Sequence, residues 1–314
     1  MEGAPEQISL ASVLEWDCYR TIAYFAYFRY PLTAFEVWKW LYAPEGRWTL
    51  ADVTYALATS TWLGERVGAS QGFYGVGDVD VQVADRHERL LDALRKYRVL
   101  APVVAYLRRL PFIDGVAVCN SLAFHHTTAA SDIDLFIVTA PGRVWSARLL
   151  AVSAMAALRK RPGEARRDPV CCSFFADRNA LDMARLKIDD EHDPYLAFWT
   201  HTLVPLVDRG DVFSRVHVMN GWVRDVLPNA RPVSRAPRLR HGAPRRGFIR
   251  DNLAALFPED AARAFQERKF PASIRALKNV DTRVVVNDRM LKFHENDRRH
   301  DIKRAHDERL CNIS

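Results

Sequence analysis

Val116-Ala117-Val118-Cys119-Asn120-Ser121, followed ten residues on by Ser131-Asp132-Ile133-Asp134-Leu135-Phe136-Ile137-Val138, decides how this chain is read. Gly115 to Cys119 is a short apolar run that predicts a strand. Asn120-Ser121 ends it, and Leu122-Ala123-Phe124 begins a short helix. The second run predicts another strand, with Asp132 and Asp134 at its start. Residues i and i+2 of a strand share a face, so the two carboxylates project together and Ile133 points the other way. Two close carboxylates repel unless a divalent cation lies between them. Hard cations such as Mg²⁺ or Mn²⁺ take oxygen ligands, commonly one or two carboxylates plus phosphate oxygens of a substrate. Two solvated acids at a strand end would give the same Asp-x-Asp pattern. The upstream junction separates the readings: small residues at Asn120-Ser121 let backbone amides and the Ser121 hydroxyl approach phosphate oxygens, and a following helix start favours anions. Asn120, Ser121 and Ser131 are therefore the candidate nucleotide-binding residues. Asp132 and Asp134 are the candidate catalytic and metal-binding residues.

Downstream of the acid pair, Pro141-Gly142 turns the chain into an Ala- and Leu-rich helix, Arg143 to Arg161, and Val170 to Ala176 predicts a third strand. Upstream, residues 8–84 read as three helices and a hairpin. The helices run from about Ser9 to Phe28, from a Thr33-Glu36 capping box to about Tyr42, and from a Thr49 cap to about Ser60. The alternation of Val79, Val81 and Val83 after Gly72, Gly75 and Gly77 predicts a strand of the hairpin. This is the order of a winged helix. Residues 85–110 predict a connecting helical region, with a break or kink near Leu100 because Pro102 removes an amide. Residues 181–314 predict a helical region, with helices at Tyr195 to Val207, Val212 to Leu227, Asp251 to Asn279 and from Asp288 onward. Between Arg231 and Arg250 lie seven arginines, three prolines and no acid, which predicts an irregular loop with a strong positive field.

The core pattern resembles the DNA polymerase β-like nucleotidyltransferase superfamily, whose hallmark is a strand ending in Gly-Ser, a short helix, then Asp-x-Asp on the next strand. Similarity to bacterial nucleotidyltransferase-domain proteins extends to Tyr30-Pro31-Leu32-Thr33, Met290-Leu291-Lys292-Phe293-His294 and Asn296-Asp297-Arg298-Arg299. The resemblance implies an α+β chain. Residues 111–180 would form a mixed-sheet nucleotidyltransferase core, between an N-terminal winged-helix-like module and a helical C-terminal region. It also implies Mg²⁺ on Asp132 and Asp134, and transfer of a nucleoside monophosphate from an NTP to an acceptor hydroxyl. Two departures stand out. The usual glycine is Asn120, a residue that tolerates left-handed backbone. The usual third acid, which activates the acceptor, has no match within Val170-Cys171-Cys172-Ser173-Phe174-Phe175; Asp168 lies just before that strand and Asp177 just past it. A nucleotide-binding protein that has lost transfer is the alternative reading, and a winged-helix DNA-binding regulator a third.

The bulk numbers agree with a globular chain: 314 residues, 49% apolar and 26% charged. A net charge of +7 and a pI near 9.3 favour anionic partners such as a nucleotide triphosphate. Nucleic acid is less favoured, because the third helix carries no Lys or Arg to contact phosphate. The five cysteines, Cys18, Cys119, Cys171, Cys172 and Cys311, form neither a disulfide framework nor a CxxC zinc pattern. Residues 1–7 lack the charge and apolar pattern of a signal peptide, and no run is long and apolar enough to span a bilayer, so a cytoplasmic location is expected. His125-His126 and Arg143 are further candidates for substrate contact. The tryptophans of the first segment, Trp16, Trp38, Trp40, Trp48 and Trp62, suit a helical core.

Overall fold

The computed structural model describes residues 12–165, 167–188, 193–233 and 258–312. Most of the Arg/Pro-rich stretch, and the start of the helix expected from Asp251, lie outside them. The chain is α+β with mixed sheets, and it divides into two compact units.

The first unit takes its described residues from Met1–His87, Trp222–Ala230 and Asp301–Ser314. Helix α1 (Val13–Ala26) starts at a Ser12-Glu15 capping box and buries Cys18, Tyr19, Ile22 and Phe25. Strand β1 (Leu32–Thr33) leads into α2 (Ala34–Lys39), where the expected Thr33-Glu36 capping box forms, and Thr49 caps α3 (Leu50–Thr59) as its spacing predicts. A short helix, α4 (Thr61–Gly64), precedes β2 (Gly68–Ser70) and β3 (Phe73–Gly75). The three strands make an antiparallel sheet in the order β1-β3-β2. Asp17 of α1 is fully buried and is satisfied by the segment between α2 and α3: Trp48 Nε1 donates to it at 2.8 Å, the Glu45 amide at 3.0 Å, and Arg20 pairs with it.

The hairpin is therefore β2-β3, and the strand expected at Val79–Val83 is instead the start of α5 (Val79–Leu107). Gly77, at φ 95°, reverses the chain, and the Asp78 carboxylate accepts from the Val81 amide at 3.1 Å. Val79 and Val83 are buried while Val81 is exposed, so the three valines satisfy a helix at i and i+4; five alternating residues are too few to impose a strand. Of the break or kink expected near Leu100, the break does not occur: α5 continues through Pro102. Its ring removes one amide from an exposed position, and the buried Leu100, Val103, Val104 and Leu107 carry the helix past it.

The second unit takes its described residues from Glu88–Gly221 and Arg231–His300. Its centre is a six-stranded sheet in the order β7-β4-β5-β6-β9-β8. These are β4 (Ile113–Val118), β5 (Ile133–Thr139), β6 (Val170–Asp177), β7 (Val204–Asp208), β8 (Val284–Val286) and β9 (Met290–Phe293). The β5-β6 pair is parallel, joined by the crossover helix α7 (Val144–Ala157), and the other pairs are antiparallel. Alternation assigns the faces. Val116, Val118, Ile133, Leu135 and Ile137 join a core with Leu100 and Leu107 of α5 and Trp145 of α7. On the opposite face, the Phe136 ring meets Trp199 of α8 (Pro194–His201) and Phe213 of α9 (Val212–Met219).

Residues 181–314 are consequently not wholly helical. The run expected to continue as helix to Val207 ends at His201 and becomes β7, with Pro205 on an edge strand, where a missing amide is tolerated. The run from Val212 breaks at Asn220-Gly221 into α9 and α10 (Trp222–Val226). After α11 (Glu259–Arg268) and α12 (Ala272–Leu277) comes the β8-β9 hairpin, and the region expected to be helical from Asp288 begins with its second strand, β9. Helix α13 (Arg299–Cys311) closes the described chain. Among the described residues, no helix is long and apolar enough to cross a membrane.

Candidate functional site

Four chain segments converge at one end of the six-stranded sheet. They are the C-terminal end of β4, the starts of the parallel β5 and β6, and the end of β9, which runs antiparallel to β6. β4 passes through Cys119, whose amide donates to the Asp134 carbonyl at 3.2 Å, into Asn120. Asn120 stands at φ 55°, in the left-handed region, and opens the four-residue helix α6 (Asn120–Ala123). This is the conformation expected of the residue in the glycine position, and Asn adopts it at lower cost than most side chains. The Asn120 side-chain amide hydrogen-bonds the Asp134 carboxylate, and the Tyr195 hydroxyl of α8 donates to Asn120 Oδ1 at 3.0 Å. Tyr195 thereby fixes which end of the amide faces Asp134.

Asp132 and Asp134 lie on either side of Ile133, and both are half-exposed. Burial pushes both carboxyls above their ordinary range. The charge of Asp132 pushes Asp134 further up, while the Asn120 hydrogen bond and nearby Lys96 pull it down. Among the described residues, no group of three or more His, Cys, Asp or Glu side chains is arranged to hold a metal. Two carboxylates without a third acid still match a hard divalent ion that takes its remaining ligands from substrate phosphates and water.

Neither neighbouring acid completes the pair. Asp177 sits at the far end of β6, paired in register with Thr139, and its carboxylate accepts from the amides of Asn179 and Gly142. Asp168 is at the near end but engaged: Arg95 grips it with two bonds of 2.6 and 2.7 Å, and Lys96 Nζ lies 3.2 Å away. These contacts, the Arg95 hydrogen bonds first, hold its carboxyl down at about 2.

Lys96 and Tyr195 are the residues that motif reading missed. Lys96 is fully buried on α5 and donates to the Ser131 carbonyl, directly before the acid pair. Its sequence signal was a lysine in register with Ala93, Leu100, Val103 and Leu107 on the apolar stripe. Tyr195 gave no comparable signal, because it falls in a uniformly apolar run.

The other candidates divide. Ser121 is half-exposed beside Asn120, and its carbonyl accepts from the His126 amide at 2.9 Å. The Ser131 hydroxyl closes a turn, accepting from the Thr128 amide at 3.0 Å. The His126 ring is buried 2.8 Å from Arg89, whereas His125 is exposed, with its ring 5.6 Å from Tyr97. Arg143 is away from the acid pair: it follows the other end of β5 and lies over the Phe112 ring. A pocket of about 210 Å³ opens among Lys187, Thr282, Arg283, Asp297, Arg299 and His300, and neither Asp132 nor Asp134 lines it.

Compared with protein-family models, with curated proteins and with solved structures, the chain matches none.

Proposed function

We propose that the second unit is a metal-dependent nucleotidyltransferase core that moves a nucleoside monophosphate from an NTP to an acceptor hydroxyl. The observation that carries this reading is the left-handed Asn120 turn, which places an amide on Asp134 and leaves Ser121 at the mouth of the same strand end. Asp132 and Asp134 would hold Mg²⁺ or Mn²⁺, and Ser121 with the neighbouring amides would hold the triphosphate. When bound, such an ion holds phosphate oxygens and offsets charge developing on them. The protein's own share is orientation: Asn120 and Tyr195 set the Asp134 carboxylate, while Lys96 fixes the Ser131 carbonyl ahead of Asp132.

A second reading, nucleotide binding without transfer, draws on the placement of Asp168 and Asp177, neither of which is offered to an acceptor. The helix and strand order of the first unit, with its β1-β3-β2 sheet, supports the winged-helix reading of that unit. Its third helix contains no Lys or Arg and exposes Tyr55, which argues for packing against protein rather than DNA.

Calorimetry of the four NTPs with Mg²⁺ or Mn²⁺ tests the proposal. Metal-dependent binding that disappears in Asp132→Ala/Asp134→Ala supports it, and absence of NTP binding in the wild type refutes both the transfer and the binding-only readings.

A further inference from the structure

Across the face that carries Asp134, polar side chains continue strand by strand. Asp134 pairs in register with Cys171 on β6, and the Cys171 thiol is hydrogen-bonded to Asp134. Cys171 is in turn hydrogen-bonded to Ser173. Ser173 Oγ lies 3.0 Å from His294 Nε2, which the end of β9 delivers from 121 residues away in sequence. Cys171 and Ser173 are i and i+2 on β6 and share a face, and the register shift between Asp134 and Phe136 brings Phe174 opposite Phe136 beside them. Strand spacing and rise put the Ser173 and Asp134 backbones about 8 Å apart, with Cys171 bridging them.

A serine hydroxyl within hydrogen-bond reach of an imidazole nitrogen is the arrangement of an activated nucleophile. Burial, with Lys292 beside it, drives His294 down to about 3, so the ring is neutral, and in its Nδ1-protonated tautomer Nε2 accepts the Ser173 proton. The charged groups facing His294 are Lys292, Asp297 and Arg299, and Asp297 opposes the two cations. A bound triphosphate adds negative charge to the same face and raises the basicity of the ring.

We propose that Ser173 is an acceptor hydroxyl of this site and His294 its general base, so that the protein nucleotidylates itself. Ser173 Oγ attacks the α-phosphorus and an Oγ–P bond forms. The bond from that phosphorus to the oxygen bridging to the β-phosphate breaks, pyrophosphate leaves with the electron pair, and the hydroxyl proton passes to His294 Nε2. No oxidant or further reactant is needed. This assignment rests on the nucleotidyltransferase reading above, and it fills the role for which neither Asp168 nor Asp177 is placed.

Two measurements on the full chain test it separately from that reading. The first uses neither metal nor nucleotide: ¹⁵N NMR of the imidazoles is expected to show His294 neutral from pH 5 to 8, with an Nε2 resonance that moves in Ser173→Ala. A ring that titrates near 6.5 and ignores Ser173→Ala overturns the pairing and the proposal with it. The second incubates the chain with Mn²⁺ and each NTP and reads intact mass and peptide fragments. One nucleoside monophosphate on Ser173 is expected, absent from Ser173→Ala and Asp132→Asn/Asp134→Asn, and formed ~100-fold more slowly by His294→Gln. NTP binding by calorimetry certifies that each serine and histidine variant is folded. Binding with no label, or label on another residue, overturns this assignment and leaves the transferase reading standing. An undiminished rate in His294→Gln overturns the base. Failure of the wild type to bind any NTP overturns both.

Discussion

Replacing Asp168 with Asn should cost about 3 kcal/mol, because it strands a buried lysine. Asp168 stands at φ 52°, a conformation Asn tolerates, so the backbone is not the cause of the loss. Its carboxylate binds Arg95 twice and lies 3.2 Å from Lys96 Nζ, and Lys96 is fully buried. Arg95 retains Asp92, but Lys96 keeps only the Asp92 carboxylate at 3.8 Å and the Ser131 carbonyl. Removing one partner of a buried pair typically costs about 3–5 kcal/mol, and the remaining contacts place this case at the low end. A second estimate agrees in size. Asp168 sits at about 2 in the folded chain against 3.8 for a free side chain, a difference equivalent to about 2 kcal/mol. Since the folded value is the lower one, that contribution is complete above about pH 4 and is lost as the pH falls toward 2. Urea unfolding at pH 7 and pH 3 should therefore show the wild type losing stability on acidification more steeply than Asp168→Asn. Adding Lys96→Met to Asp168→Asn should restore about half of the loss, since the stranded charge is gone. A loss below 1 kcal/mol at pH 7, or no recovery in the double variant, refutes the account.

Tyr195→Phe removes the donor that orients the Asn120 amide, and Mn²⁺ affinity measured by calorimetry should fall about 10-fold; an unchanged Kd would show that Asp134 does not depend on it. Gly115→Ala would put a Cβ 2.7 Å from Val212 Cγ1 and 2.9 Å from Phe213 Cε2, and should lower stability by about 1–3 kcal/mol in urea titration. Pro102→Ala restores an amide at an exposed position of α5 and should raise the urea midpoint, by up to about 3 kcal/mol in stability. A lower midpoint would mean that the helix needs the distortion.

The strand-turn-strand centre was legible because local chemistry there agrees with the fold. Val116 to Val118 and Leu135 to Val138 are apolar runs bounded by polar turn residues, and Asn120 takes the left-handed turn its identity allows. The capping pairs at Thr33 and Thr49 were legible for the same reason. The β7 strand was not, because Leu203 to Val207 is apolar throughout, and periodicity cannot separate a fully buried strand from a helix; Pro205 was the sign that went unused. The β8-β9 hairpin carried Val284-Val285-Val286 and an Asn287-Asp288 turn, but Lys292 and His294 interrupt the apolar pattern after it. Those two polar residues belong to a row built between strands, and no local rule reports a partner 121 residues away. Val79 to Val83 failed in the opposite way: the alternation is real but short, and Asp78 had already committed the chain to helix.

The late arrival of β9 shapes how the molecule must fold. β4, α6 and β5 are contiguous and can form early, yet β9, which pairs with β6, delivers His294 to Ser173 from 121 residues away in sequence. Closing so long a loop is slow compared with hairpin formation, and pairings of high sequence separation dominate folding times. A nascent chain therefore carries the two aspartates well before Ser173 meets its imidazole. Until synthesis reaches β9, the edge of β6 that it covers stays open, and any chemistry that needs His294 waits for that strand.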